Sequence, residues 1–81
     1  DLTVGMEGED VRLLQKILID QNVGQKALEL ARIGATGYFV NYTRDALAEY
    51  QAKYAIIPSV GYFGSITRTQ MKYLGIQGLW W

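Results

Sequence analysis

Four carboxylates near two expected helix starts are the side chains best suited to acid–base or metal chemistry. They are Glu7, Glu9, Asp10 and Asp45. The chain has no histidine and no cysteine, which excludes the commonest general base, the commonest metal ligand and any thiolate site. Because acidic groups at a helix start also favour the positive end of the helix dipole, we expect these carboxylates to stabilise helices. We predict no metal site and no cofactor.

Two serines could act as nucleophiles only with a base beside them. Neither Ser59 nor Ser65 has a candidate base in the sequence, and an unactivated hydroxyl is a weak nucleophile. We therefore predict no catalytic residue and do not expect an enzyme.

A repeated segment is the strongest signal in the chain. Residues 37–44 read GYFVNYTR and residues 61–68 read GYFGSITR, so one loop-into-helix device is used twice. Glycine suits the turn, phenylalanine suits the core, and Thr43 and Thr67 stand where a hydroxyl could cap a helix start. We predict that these shared residues build the scaffold.

The tyrosine and arginine of each copy have two interpretations. Tyr38 and Tyr62 offer flat rings to a ligand, and Arg44 and Arg68 could pair with a carboxylate. Ordinary surface packing explains the same four residues, so both interpretations stay open. The remaining candidate contact residues are Asn41, Tyr42, Tyr73, Trp80 and Trp81.

Size and charge limit the classes of protein. The 81 residues have room for one domain, expected to span residues 1–81. Eight basic and eight acidic side chains cancel, and a neutral chain without a basic run is a poor ligand for nucleic acid. No apolar stretch approaches the length of a membrane span, about 18 residues.

Apolar spacing predicts helices over about residues 9–21, 25–32 and 44–54. A further short stripe of Ile66, Met71 and Leu74 ends near Gly75. The predicted fold class is all-α: a compact three-helix bundle with one extra short helix and glycine-rich connecting loops.

Two glutamines hold matching positions in two predicted helices. Gln15 follows Leu14 and Gln51 follows Tyr50, at an offset of 36 residues. A glutamine at the edge of a core can bond loop backbone that would otherwise lie buried and unpaired. We therefore predict that both glutamines are structural.

Taken together, these motifs resemble the peptidoglycan-binding domain family. The shared pattern runs from an opening Leu2-x-x-Gly5-x-x-Gly8, through VxxLQxxL in the first helix and an aromatic–Gln pair in a later one, to the two Gly-x-Phe loops. It covers about residues 2–74. The resemblance implies a three-helix, non-catalytic module that binds peptidoglycan, by its glycan or its stem peptide, at the cell envelope or outside the cell.

The chain departs from the family pattern in four places, one of which is Tyr54-Ala55-Ile56, in a segment that usually carries a glycine before an apolar residue. Val40 stands where the family has glycine, so a different backbone path is expected there if only glycine fits. Residues 25–32 look like a helical insertion, and the Trp80–Trp81 pair matches nothing in the pattern.

These departures leave an alternative open: an engineered or selected scaffold that grips a protein target through surface tyrosine and tryptophan. Its contacts would be Tyr42, Tyr73, Trp80 and Trp81, and its location would be unknown. The tryptophan pair could equally fold back over the small core. Exposed aromatics could also cause oligomerisation.

Overall fold

Four helices make up the regular structure of the described chain, residues 1–76 of a computed structural model. They are α1 (Glu9–Gln21), α2 (Gly24–Ile33), α3 (Asn41–Lys53) and α4 (Ser65–Tyr73). The predicted all-α fold class, a three-helix bundle with an extra helix, is confirmed. None of these helices is long and apolar enough to cross a membrane. Trp80 and Trp81 lie outside the described residues.

Helix α1 has the bounds that its apolar spacing predicts. Val11, Leu14 and Leu18 are buried on one face, as the i, i+3, i+7 pattern requires. The helix ends at Asn22, which adopts the left-handed conformation and donates its N–H to the Leu18 carbonyl. Asparagine tolerates this conformation better than most residues, so it stops the helix with little strain.

Helix α2 is one residue longer at each end than predicted. Ala27 and Leu30 are its buried residues, and the helix packs against both α1 and α3. At its start the backbone N–H of Lys26 donates to the carboxylate of Glu49 on α3 over 2.9 Å. Helix α2 therefore depends on tertiary contacts, as expected for so short a helix.

Helices α3 and α4 both begin before the threonines predicted to cap them. The residues at the N-cap positions are Val40 and Gly64, and neither provides a side-chain cap. Thr43 and Thr67 instead lie inside the first turns, and both are buried. The capping prediction is wrong because each hydroxyl faces the interior, where it has a different partner.

The buried face of α4 also differs from the predicted stripe. Thr67 and Met71, four residues apart, point inward. Ile66 is 60% exposed and Leu74 is 49% exposed. The stripe prediction therefore holds only for Met71. Ile66 is an apolar side chain that lies on the surface.

The opening segment, residues 2–6, is linked to both repeated loops by backbone hydrogen bonds. Leu2 and Phe63 exchange two backbone hydrogen bonds of 2.8 Å. Gly5 donates to the Phe39 carbonyl, and Phe39 donates to the Met6 carbonyl, both over 2.9 Å. Both phenylalanine rings are buried in the central core, as predicted. The loops are thus held from below by the core and along one edge by the opening segment.

Candidate ligand-binding groove

A buried glutamine on α1 holds the first repeated loop. The Gln15 side-chain oxygen accepts from the Gly37 N–H over 2.8 Å. Its amide nitrogen donates to the Tyr38 carbonyl over 3.0 Å and to the Thr43 hydroxyl over 2.8 Å. All three partners belong to the loop or to the first turn of the helix after it.

A second glutamine repeats this arrangement on α3. The Gln51 oxygen accepts from the Gly61 N–H over 2.9 Å. Its nitrogen donates to the Tyr62 carbonyl over 2.8 Å and to the Thr67 hydroxyl over 3.0 Å. We call these two sets of bonds the glutamine clamps. They confirm the structural role predicted for both glutamines.

The turn glycine of the second loop cannot carry a side chain. Gly61 has φ +80°, and a Cβ atom there would lie 2.5 Å from the backbone carbonyl oxygen of Arg44. A fixed backbone atom at that distance cannot move aside without shifting α3. Gly61 therefore sets how closely the second loop approaches α3.

The second loop carries a small polar network at its outer edge. The Tyr62 hydroxyl donates to one Asp1 carboxylate oxygen over 2.9 Å. The Arg68 guanidinium donates to the other over 2.8 Å, and it also lies 5.5 Å from the centre of the Phe63 ring. Asp1 thus holds in place both candidate ligand-contact side chains of the second copy, Tyr62 and Arg68.

Among residues 1–76, the first loop has no equivalent network. Arg44 pairs with its neighbour Asp45 over 3.0 Å, and the Tyr38 hydroxyl has no hydrogen-bond partner within residues 1–76. Nearby, Arg12 donates to Glu9 over 2.8 Å and lowers the pKa of that carboxyl. Among the described residues, no three acidic side chains gather into a possible metal site.

The main difference between the copies is Val40 against Gly64. Both residues are extended, with φ −120° and ψ −169° at Val40, and φ −119° and ψ −164° at Gly64. Valine adopts this conformation readily, so the different backbone path expected at Val40 is not found. What the glycine provides is space: a Cβ at residue 64 would lie 2.9 Å from Cε2 of the Tyr62 ring.

A groove of about 270 Å³ lies beside the second loop. Its walls come from the opening residue, the α3–α4 connection and the first turn of α4. The lining residues are Asp1, Gln51, Ile56, Ile57, Pro58, Tyr62, Gly64, Ser65, Ile66 and Thr67. Across Ser65 and Ile66 it adjoins a shallower hollow of about 410 Å³ that reaches Tyr73.

The structure brings some of the sequence-predicted site residues together and leaves others apart. Tyr62 lines the groove, Arg68 is bonded to its rim through Asp1, and Tyr73, 91% exposed, borders the adjoining hollow. The candidates on the first copy do not line this groove and are all exposed: Tyr38, Asn41, Tyr42 and Arg44. Trp80 and Trp81 lie outside the described residues.

Sequence reasoning missed most of the groove wall. Ile57, 78% exposed, and Pro58 lie just beyond the helix predicted over residues 44–54 and are not among the predicted site residues. The signal available was a pair of adjacent isoleucines in a segment too short for a helix, of which Ile56 faces the core and Ile57 faces outward. Asp1 offered no local signal, because its partners lie more than 60 residues away in the chain.

The comparisons with known proteins agree with this architecture. A family model described as "Putative peptidoglycan binding domain" matches residues 7–71. Searches of curated proteins and of solved structures gave no significant match. The matched range contains both glutamine clamps and both repeated loops, and it covers most of the chain. This chain therefore belongs to the peptidoglycan-binding domain family.

Proposed function

We propose that this chain is a non-catalytic module that binds bacterial peptidoglycan in the groove beside its second Gly-Tyr-Phe loop. The observation that carries the proposal is that hydrogen bonds hold both the backbone and the tyrosine side chain of that loop in place. The Gln51 clamp holds its backbone, and Asp1 holds the Tyr62 side chain. A preorganised surface loses less conformational freedom when a ligand binds.

The composition of the groove supports a binding role. The lining combines the apolar side chains of Ile57, Pro58 and Ile66 with the Tyr62 ring, and Ser65 and Asp1 add polar groups to it. Small-ligand sites commonly combine apolar walls with a few placed polar groups. A cavity of this size accommodates one sugar ring or one or two amino-acid residues of a longer polymer.

The hydroxyls near the groove support a role without catalysis. Ser59 donates to the Ile56 carbonyl over 2.6 Å, and Thr67 belongs to the Gln51 clamp. Ser65 lines the groove beside Asp1, but both oxygens of that carboxylate already accept hydrogen bonds from Tyr62 and Arg68. We infer that the module holds a protein at the cell wall, which places it at the cell envelope or outside the cell.

Retention on purified, enzyme-free peptidoglycan tests the proposal. The protein is mixed with insoluble sacculi, sedimented and compared with an unrelated neutral protein of similar size. We expect this chain to sediment with the sacculi and the control to stay in solution. Equal recovery of both proteins in the supernatant would rule the proposal out.

A protein target is the second candidate, as expected for an engineered or selected scaffold. Tyr73 is 91% exposed beside the groove and Tyr42 is 52% exposed at the start of α3, and exposed tyrosines are common contact residues. Light scattering at two concentrations tests one form of this candidate, in which the protein target is a second copy of the chain. Self-association that disappears in Tyr73→Ser would favour a protein contact, whereas a monomer at both concentrations would favour the cell-wall ligand.

A further inference from the structure

We infer that the groove takes an uncharged N-acetylated sugar of the glycan strand, not the stem peptide, and that Gly64 makes this possible by keeping the Tyr62 ring in place. The inference rests on the proposed function and goes beyond it by choosing one of the two components of peptidoglycan. Three features of the groove carry it: its charge, its walls and the space at residue 64.

The charge of the groove disfavours a stem peptide. Stem peptides carry several free carboxylates. Among the side chains that line the groove, only that of Asp1 is charged at neutral pH, and it is a carboxylate. The Arg68 guanidinium is already paired with that carboxylate over 2.8 Å. A carboxylate entering the groove would lose water and lie near the Asp1 carboxylate, with no cationic side chain in the lining to pair with, which is unfavourable.

The walls of the groove suit a sugar. One face of a hexose ring exposes mainly C–H groups and can lie against an aromatic ring. The Tyr62 ring, 45% exposed, offers such a surface, and the exposed side chains of Ile57 and Ile66 can contact the methyl of an acetamido group. The Ser65 hydroxyl and the Asp1 carboxylate can exchange hydrogen bonds with sugar hydroxyls.

The position of the Tyr62 ring depends on the missing side chain at Gly64. A Cβ atom at residue 64 would lie 2.9 Å from Cε2 and 3.3 Å from Cδ2 of that ring, which is closer than carbon atoms pack. The ring would have to shift away from residue 64, which would change its position in the groove and the geometry of its hydrogen bond to Asp1. The first copy has Val40 at this position, and the groove beside the first loop includes none of residues 40–43.

Two soluble probes distinguish the components of peptidoglycan. The isotope-labelled full chain is titrated with the trisaccharide of N-acetylglucosamine and, separately, with an alanyl-glutamyl peptide, and backbone and side-chain shifts are followed by NMR. We expect the trisaccharide to shift the signals of Tyr62, Ser65 and Ile66. We expect the peptide to leave them unchanged.

The outcomes separate this inference from the proposed function. If the peptide shifts the groove and the trisaccharide does not, the sugar assignment is wrong but binding to peptidoglycan stands. If neither probe shifts the groove while sacculi still retain the protein, the groove is not the sugar site and the inference fails. If sacculi do not retain the protein either, both proposals fail.

A matched pair of variants tests the role of Gly64. Because Val40 adopts the same backbone angles, Gly64→Val introduces no backbone strain, and far-UV circular dichroism checks the fold. We expect Gly64→Val to weaken trisaccharide binding by about tenfold or more, the loss expected for a central contact. The control Val40→Gly should bind as the original chain does. Equal affinity of Gly64→Val and the original chain would show that Gly64 has no such role. A second variant, Tyr62→Ala, removes the ring without adding bulk, and we expect it to lose binding in the same assay.

Discussion

The Gln15 amide donates a hydrogen bond to the Thr43 hydroxyl across 2.8 Å, and this contact links helix α1 to the first turn of α3. Gln51 and Thr67 repeat it at 3.0 Å, linking α3 to the first turn of α4. Each glutamine also holds the turn glycine and the tyrosine carbonyl of the loop between. Since the groove lies on the second of these loops, its shape depends on a clamp buried beneath it.

The glutamine clamps should contribute strongly to stability. Replacing Gln51 by leucine leaves the Gly61 N–H, the Tyr62 carbonyl and the Thr67 hydroxyl without their partner in the interior. We expect the free energy of unfolding to fall by about 2–4 kcal/mol, measured by urea denaturation. Gln25→Leu on the exposed surface of α2 is the control and should change it by less than about 0.5 kcal/mol. Similar small losses in both variants would show that the clamp is unimportant.

A substitution at Thr43 tests whether this threonine is part of the Gln15 clamp or a helix cap. Aspartate is at least as good as threonine at an N-cap, so a capping role predicts that Thr43→Asp is harmless. The structure predicts the opposite, because the new carboxylate would be buried. We expect a loss of at least about 2 kcal/mol in the free energy of unfolding at pH 7. An unchanged denaturation midpoint would restore the capping interpretation.

Gly61 should tolerate alanine much less than Gly75 does. Both glycines have φ near +80°, but only at Gly61 would a Cβ meet fixed backbone, 2.5 Å from the Arg44 carbonyl oxygen; at Gly75 nothing lies within 4 Å. We expect Gly75→Ala to cost about 1 kcal/mol from the left-handed backbone alone, and Gly61→Ala to cost clearly more. Thermal unfolding of the two variants measures the difference, and equal melting temperatures would contradict the predicted contact.

Tyr50 should make the protein sensitive to alkali. Burial raises the pKa of the Tyr50 phenol to about 12, compared with about 10 in an unfolded chain. The neutral phenol is therefore favoured in the folded state. Its contribution to stability is complete below pH 10 and is lost as the pH rises from 10 towards 12.

The variant Tyr50→Phe isolates this effect. It removes the ionisable group and the 2.7 Å hydrogen bond to Gln70, so its stability starts lower at neutral pH. Urea midpoints of both proteins are measured from pH 8 to pH 12. We expect the advantage of the original chain to shrink above pH 10. Parallel curves over the whole range would contradict the raised pKa.

Much of the scaffold could be predicted from the sequence, because short-range patterns determine it. The spacing of Val11, Leu14 and Leu18 gave the bounds of α1, and the repeated position of Gln15 and Gln51 gave their structural role. The threonines were misassigned because a hydroxyl before a helical pattern satisfies the capping rule locally. Only the folded structure shows that a glutamine from another helix lies close enough to bond each hydroxyl instead.

The groove could be predicted only in part, because distant residues form it. Tyr62 stood out through the repeat, whereas Asp1 and Ile57 reach the site only through the folded chain. Ile66 fits the predicted apolar stripe with Met71 and Leu74, but its side chain is exposed. The buried face of α4 passes instead through Thr67 and Met71, and Thr67 is drawn inward by Gln51. The hydrogen bond between Gln51 and Thr67, which are 16 residues apart, thus belongs to the buried face of α4, and Ile66 lies on the face that lines the groove.

The most direct test of the account is peptidoglycan retention by two isoleucine variants. Ile66, 60% exposed, lines the groove; Ile33, 45% exposed at the end of α2, does not. Both side chains are on the surface, so neither substitution should unfold the protein. The account predicts that sacculi retain the original chain and Ile33→Ser equally but lose most of Ile66→Ser. Undiminished retention of Ile66→Ser, or an equal loss in Ile33→Ser, would contradict binding in the groove.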